Sequence, residues 1–384
     1  YLYLNTRLDA SIIGLAKNLF ISTAMIWESY PVIPITLLIV GLLWGFAKLV
    51  QQIHSIQSGS PVRKKKLVLI YFITVFIFLG IGYGKWSRYP FRWSDAFYST
   101  NHSANQLAIN PVLYFLNTWT RVDESHDIEK VREFYPALVD FLGVENPNID
   151  QLNFLREFKP KIKIKNPPNI VLIVLETFPA FKCGALGNPL NPTPYFDELA
   201  KKSILFTQFY VPKLSTAASI FCTLTGLPDM AVINKSSTRD PFAIHQDLFI
   251  NQLQGYKKHF FIGGSANWGD LNGFFKNNIK DIVIHEEGSY SMPETNAWGI
   301  SDYHLLQETH KVLAEESEPF IAMVLTAGHH RPYTIPENIP GFVKSGFTLE
   351  HRNYSFGKDD YYAFKFMDFA LGQFIVEAKN ADYF

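Results

Sequence analysis

The sequence predicts an α/β protein: a parallel β-sheet covered by helices on both faces, preceded by an α-helical transmembrane region. Three observations predict it. Two long uncharged stretches fall within the first 90 residues, and from Ile170 onward short β-branched runs alternate with helical segments. Alternation of that kind belongs to parallel sheets wrapped on both sides. Composition leans the same way, with 47% hydrophobic and only 18% charged residues, a bias that membrane-embedded segments produce. Lys+Arg and Asp+Glu both number 35, so no net charge points to nucleic acid as a partner.

The membrane elements come first. Pro31 to Ala47 carries no charge and ends at Lys48, and Leu67 to Gly84 is a second uncharged run. Each approaches the roughly 20 residues a helix needs to cross hydrocarbon, which places transmembrane helices at about 31–50 and 67–84. A buried core helix tolerates such runs too, but Trp27, Tyr30, Tyr83 and Trp86 flank them as interfacial aromatics do. The short loop between them holds Arg63, Lys64, Lys65 and Lys66 with no acidic counterweight. Basic loops stay cytoplasmic, so everything after Gly84 is expected outside, in the periplasm or at the outer cell surface. Ahead of the first run, Ile12, Leu15, Ala16, Leu19 and Ile26 recur at helical spacing, as in an interfacial or surface helix. The chain begins at Tyr1 with no visible signal peptide, as a segment of a longer protein would.

Residues 91–167 read as an extracytoplasmic helical linker. A helix from Asp123 puts Ile128, Val131, Phe134 and Leu138 on one face, and a stretch rich in Pro, Asn and Lys follows, up to a boundary near Pro168. Residues 168–384 then alternate. IVLIVLETF is a strand buried on both faces, TPYFDELAKKS a helix and ILFTQFY a second strand. Helices at 216–224 and near 246–256, the strand HFFIGG, a helix after Trp268, the strand DIVIHE, a helix from Ser301 and the strand PFIAMVLT complete the series. Ligands of such sheets collect at the carboxyl ends of the strands.

Several candidate site residues sit at those ends. Glu176 closes an apolar strand, where a carboxylate needs a cation or a donor; it serves a metal or caps the next segment. Thr216, after Ser215, opens a short apolar helix that ends at Gly226. A hydroxyl there is an N-cap, or a nucleophile favoured by the helix dipole for attack on a phosphate group. His329, His330 and Arg331 follow the last strand. Adjacent side chains diverge on extended backbone, so one histidine enters the site. His330 is then a ligand, a proton donor or a phosphate contact, and Arg331 grips an oxyanion; a loop-bonded structural histidine is the plain alternative. Trp268 is either core or a shelf for a glycerol or sugar group. Cys183 and Cys222 are read as buried free thiols, although an oxidising compartment allows a bridge.

Taken in order, NIVLIVLETF, NPTPYFDELAKKSILFTQFY, STAASIFCTLTGLPD, WGISDYHLL and LTAGHHRPY resemble the lipoteichoic acid synthase-like branch of the sulfatase/alkaline phosphatase superfamily, the membrane-anchored phosphoglycerol transferases. The resemblance covers about residues 168–384. It implies an alkaline phosphatase-like sheet and a catalytic role for that region. Glu176 falls on the family's first metal-binding acid, Thr216 on its nucleophile and second metal contact, His330 on its substrate-contacting histidine and Trp268 on its site tryptophan. It further implies one divalent cation, manganese before magnesium, zinc or calcium, and transfer of a phosphoglycerol or phosphoethanolamine group through a phosphothreonine. The implied donor is a phosphatidylglycerol-like membrane lipid and the acceptor an envelope glycan or polymer, at a multi-pass anchor in the inner or plasma membrane.

Two departures qualify that expectation. Neither cysteine lies in the C/S-x-P-S-R setting of true sulfatases, which argues against sulfate ester hydrolysis. The family's Asp-His metal pair follows a helix like FMDFALGQFIVEAKNADYF, where this sequence stops at Phe384. The catalytic domain therefore reads as truncated, and a polypeptide ending there as inactive. Alternatives are a sulfatase or phosphodiester hydrolase of the same fold, and a non-catalytic envelope-binding protein.

Overall fold

The structure, a computed structural model, describes residues 31–57, 64–85, 92–99, 101–119, 127–156, 166–230, 236–240 and 244–384. The helix expected around Ile12–Ile26, the flanking Trp27, Tyr30 and Trp86, and Arg63 lie outside them. The chain divides into two compact units, residues 1–93 with 109–128, and residues 94–108 with 129–384.

In the first unit, α1 spans Val32–Gln57 and α2 Lys64–Tyr83. Within α1, Val32–Gln52 is long and apolar enough to cross a membrane, and none of that stretch is buried. A core helix of a soluble domain would bury those side chains. The apolar part of α2 is the shorter Tyr71–Gly80. Of three further short helices, α3 (His102–Ala108) belongs to the second unit and α4 (Pro111–Thr118) to the first, while α5 runs from Ile128 to Leu142.

The second unit is built on four parallel strands, β1 (Ile170–Val174), β2 (Lys257–Ile262), β3 (Ile282–His285) and β4 (Phe320–Leu325), in the order β1-β4-β2-β3. Helices α6 (Pro194–Ala200), α7 (Thr216–Thr225), α8 (Leu271–Asn278), α9 (Asp302–Glu315) and α10 (Lys358–Lys379) surround them. Side chains alternate across a strand, and β2 shows what that does. Phe260 packs on Phe275 of α8 at 4.4 Å between ring centres, while Phe261 joins Leu305, Leu313, Ala370 and Phe374 of α9 and α10 on the other face. Both phenylalanines are fully buried, each contributing about 1.5–3 kcal/mol. All six residues of β4 are buried, which is why its sequence is uniformly apolar.

Three expectations are corrected. Residues 204–210 form no strand: Ile204, Phe206, Phe209 and Tyr210 are exposed. β-Propensity alone makes no strand where no neighbour supplies the ladder. The helix expected near 246–256 is a single 3-10 turn, Phe249–Gln252. Asn278 pre-empts the longer helix by accepting the Gln246 amide at 2.9 Å through its side chain and the Asn251 side chain at 2.6 Å through its carbonyl. In α5 the buried residues are Tyr135 and Val139, whereas Ile128, Phe134 and Leu138 are exposed. The Tyr135 hydroxyl turns the helix, accepting from the Asn148 amide at 2.8 Å and donating to the Asn153 carbonyl. Cys183 and Cys222 are free and buried. Burial, with the nearby Asp197 and Asp368 charges, pushes the Cys183 thiol up to about 12, so it carries no thiolate at neutral pH.

Candidate active site

Strands β1 and β4 are neighbours in parallel register, so their carboxyl ends deliver their next residues to one place. A clamp fixes the junction. The Thr326 amide donates to the Val174 carbonyl at 3.1 Å and the Glu176 amide to the Thr326 hydroxyl at 3.0 Å. Beyond Glu176 the chain turns sharply at Thr177, whose φ of +55° lies in the left-handed region, costly for a β-branched residue. The Glu176 side chain is left 13% exposed at the strand end.

Two of the predicted residues meet it there. The Thr216 hydroxyl donates to Glu176 Oε1, and His330 Nε2 lies 2.9 Å from the same oxygen. Thr216 is the first residue of α7, and its N-cap Ser215 makes no side-chain capping bond. The hydroxyl at this helix start is therefore engaged by a carboxylate and not spent on its own backbone. Gly226 ends the helix at φ +69°.

The adjacent histidines diverge. His329 is buried, its Nδ1 2.7 Å from the Thr177 carbonyl and its Nε2 on Asp360, which also binds the Lys182 ammonium at 2.7 Å. Burial alone would raise the Asp360 carboxyl, but the bonds from His329 and Lys182 outweigh it and hold it below its ordinary value. This buried trio braces the turn behind Glu176. Sequence reading missed it, because Lys182 and Asp360 lie 178 residues apart.

Trp268 stands near the start of α7. The following residue, Gly269, has φ +70°, and a Cβ there would sit 2.9 Å from that of Ala217. Trp268 touches the site through a second indole, Trp298, with ring centres 6.0 Å apart and an edge-on angle of 73°. Trp298 in turn stacks on His330 at 4.3 Å and 20° and donates from Nε1 to the Arg331 carbonyl at 3.0 Å. Arg331 thus takes part through its backbone, and its side chain is exposed. Sequence reading held Trp298 only as the first residue of WGISDYHLL and gave it no role in the site. The available signal was an indole beside a glycine, three residues before the Ser301 helix cap.

Asp302 supports the floor. Fully buried at the first position of α9, it accepts the amides of Ala327 and Gly328 at 2.9 and 3.0 Å. Burial raises its carboxyl above the ordinary range, the two amides pull it down, and the Glu176 charge raises it further.

Such a site, an acid and a hydroxyl at the strand ends of a helix-covered parallel sheet, defines the class: this is an alkaline phosphatase-like fold. A solved protein of the alkaline phosphatase superfamily from Vibrio parahaemolyticus superposes with a TM-score of 0.51 at 26% identity, over 67% of this chain and 61% of that one. The sulfatase family profile matches residues 168–383, and the chain belongs to that family. Two similar proteins are the lipoteichoic acid synthase-like YvgJ of Bacillus subtilis, 21% identical over 50% of this chain and 31% of that protein, and the lipoteichoic acid synthase of Staphylococcus aureus, 24% identical over 55% and 33%. The chain spans about a third of the length of these relatives.

Proposed function

We propose that this is a metal-dependent phosphotransferase that moves a phosphoglycerol-type or phosphoethanolamine group from a membrane lipid to an envelope glycan or polymer. The observation that carries the reading is the single oxygen, Glu176 Oε1, bonded to both the Thr216 hydroxyl and the His330 ring. Similarity to lipoteichoic acid synthases supports the substrate class.

The residues divide the work as follows. Thr216 Oγ1 attacks the phosphorus of the lipid headgroup, and its proton passes to Glu176 Oε1, to which it is already bonded. The bond from phosphorus to the lipid oxygen breaks. His330, on the same carboxylate oxygen, returns a proton to the departing diacylglycerol. An acceptor hydroxyl then attacks the phosphothreonine, giving its proton to His330 as the bond from phosphorus to Thr216 Oγ1 breaks, and Thr216 takes its proton back from Glu176. The first turn of α7, without a side-chain cap, faces the transferring group with its amides and dipole.

Glu176 and Thr216 are hard oxygen ligands of the type divalent cations prefer, and they fit two positions around such an ion. Among the described residues, no group of three or more His, Cys, Asp or Glu encloses a common point, so these residues do not close a shell by themselves. When bound, the ion favours the deprotonated hydroxyl and offsets the charge that develops. Manganese is our first choice.

The same reading makes residues 1–90 a multi-pass anchor in the inner or plasma membrane, 91–167 a linker, and 168–384 the catalytic domain on the periplasmic or extracellular side. The apolar helix at Val32–Gln52 and the uncharged 67–84 run support it. The test is the full-length native protein with labelled phosphatidylglycerol and Mn²⁺. Diacylglycerol release should vanish in Thr216→Ala. Release at the parental rate in that variant refutes the nucleophile, and free glycerol phosphate without a glycan product identifies a hydrolase.

A further inference from the structure

A proton donor must hold its ring still to within a fraction of the hydrogen-bond width, and His330 lies on a loop with its side chain 25% exposed. Glu176 contacts one edge of the imidazole, and contact at one edge leaves the ring free to swing about that bond. Trp298 removes this freedom. Its indole lies nearly parallel to the imidazole at 4.3 Å, and its Nε1 holds the carbonyl of the next residue, Arg331, at 3.0 Å. One side chain therefore fixes both the plane of the ring and the backbone that carries it.

The indole is itself tied down. The Asn296 side chain accepts the Trp298 amide at 2.8 Å, and Trp268 abuts the ring edge-on. The next residue, Gly299 at φ +101°, crosses the end of β2 so closely that a Cβ would collide with the Gly263 carbonyl, and the Ile300 amide then donates to that carbonyl at 3.1 Å. Two residues further on, Asp302 grips the Ala327 and Gly328 amides at the base of the histidine loop. The segment from Asn296 to Asp302 is thus anchored to the histidine loop at both ends of the stack.

We propose that Trp298 is a positioning residue for His330, acting on catalysis through the imidazole and not on substrate. The proposal rests on the reading of Glu176, Thr216 and His330 given above. In the full-length protein, Trp298→Leu should lower kcat about ten- to hundredfold, the scale of a misplaced catalytic group, with KM for the lipid within about twofold. Trp298→Phe keeps a stacking face and should recover most of the loss, which also guards against a Leu variant that fails to fold. In a His330→Ala background, Trp298→Leu should cost nothing further, because residues acting through one another are not additive.

A readout independent of turnover accompanies these. A stacked imidazole quenches indole emission, so His330→Ala should brighten the fluorescence of the chain but leave it unchanged when Trp298 is already Phe. Full additivity of the two substitutions, a Leu variant with wild-type kcat, or emission indifferent to His330 each overturns the proposal. If His330→Ala alone leaves transfer intact while the fluorescence coupling is present, the functional reading of the site has failed, and with it the catalytic role given to the stack.

Discussion

Asp302→Ala tests whether the histidine loop is held from below. The wild-type carboxylate accepts the Ala327 amide at 2.9 Å and the Gly328 amide at 3.0 and 3.1 Å from its two oxygens. Alanine leaves two half-buried N–H groups without their acceptors. At about 1.5 kcal/mol for each orphaned donor the loss is about 3 kcal/mol, or about 6–12 °C in Tm for a domain of this size. Relief from burying a carboxylate offsets part of it, and Asp302→Asn, which keeps one acceptor oxygen, should fall between. The assay is thermal melting of the purified full chain in detergent, followed by near-UV circular dichroism. Melting of the alanine variant within about 2 °C of wild type would show that the amides find other partners, and the account of the loop would be wrong.

Two further outcomes follow from the same geometry. Asp368 is fully buried and accepts the Tyr195 and Phe196 amides at 3.0 and 2.8 Å, and burial, against those bonds, raises its carboxyl to about 7. A raised acid stabilises the fold while protonated, so that contribution is full below about pH 4 and disappears as pH rises through 7. The stability difference between wild type and Asp368→Asn, followed through Tm, should therefore move against wild type by up to about 1.4 kcal/mol per pH unit across that window, and parallel curves would contradict it. Glu176→Gln should weaken Mn²⁺ binding about tenfold or more, read as free Mn²⁺ by electron paramagnetic resonance, because a charged oxygen ligand becomes a neutral one; unchanged binding removes Glu176 from the ion.

The elements legible in the sequence were those whose local pattern and tertiary setting agree. β4 read as a buried strand because both of its faces are covered. β1 read as one from its apolar run but is half-buried throughout at the end of the strand order, and α7 and α9 were bounded by Ser215, Gly226 and Ser301, residues whose backbone roles are local. Glu176, Thr216 and His330 were found because each ends or begins such an element. Where setting overrides pattern, reading failed. The 204–210 run has strand composition but no ladder partner, and the 246–256 run has helical composition but lies under Asn278. Tyr135 reversed the buried face of α5 through its hydroxyl, which no apolar period records. Trp298 and the Lys182–Asp360–His329 trio depend on approaches between distant segments, which spacing along the chain does not encode.

The strand order has a consequence for how the molecule is made. Among the described residues β1 pairs with β4 alone, yet Glu176 and His330 are separated by 154 residues. At about 5–20 residues per second, a nascent chain that has released β1 waits on the order of ten seconds or more for the strand that covers its edge. Through that interval a stretch of Ile, Val and Leu stands open to any other extended segment. Assembly of the catalytic corner thus waits for β4, and a holding chaperone through that interval would protect yield more than any gain in final stability.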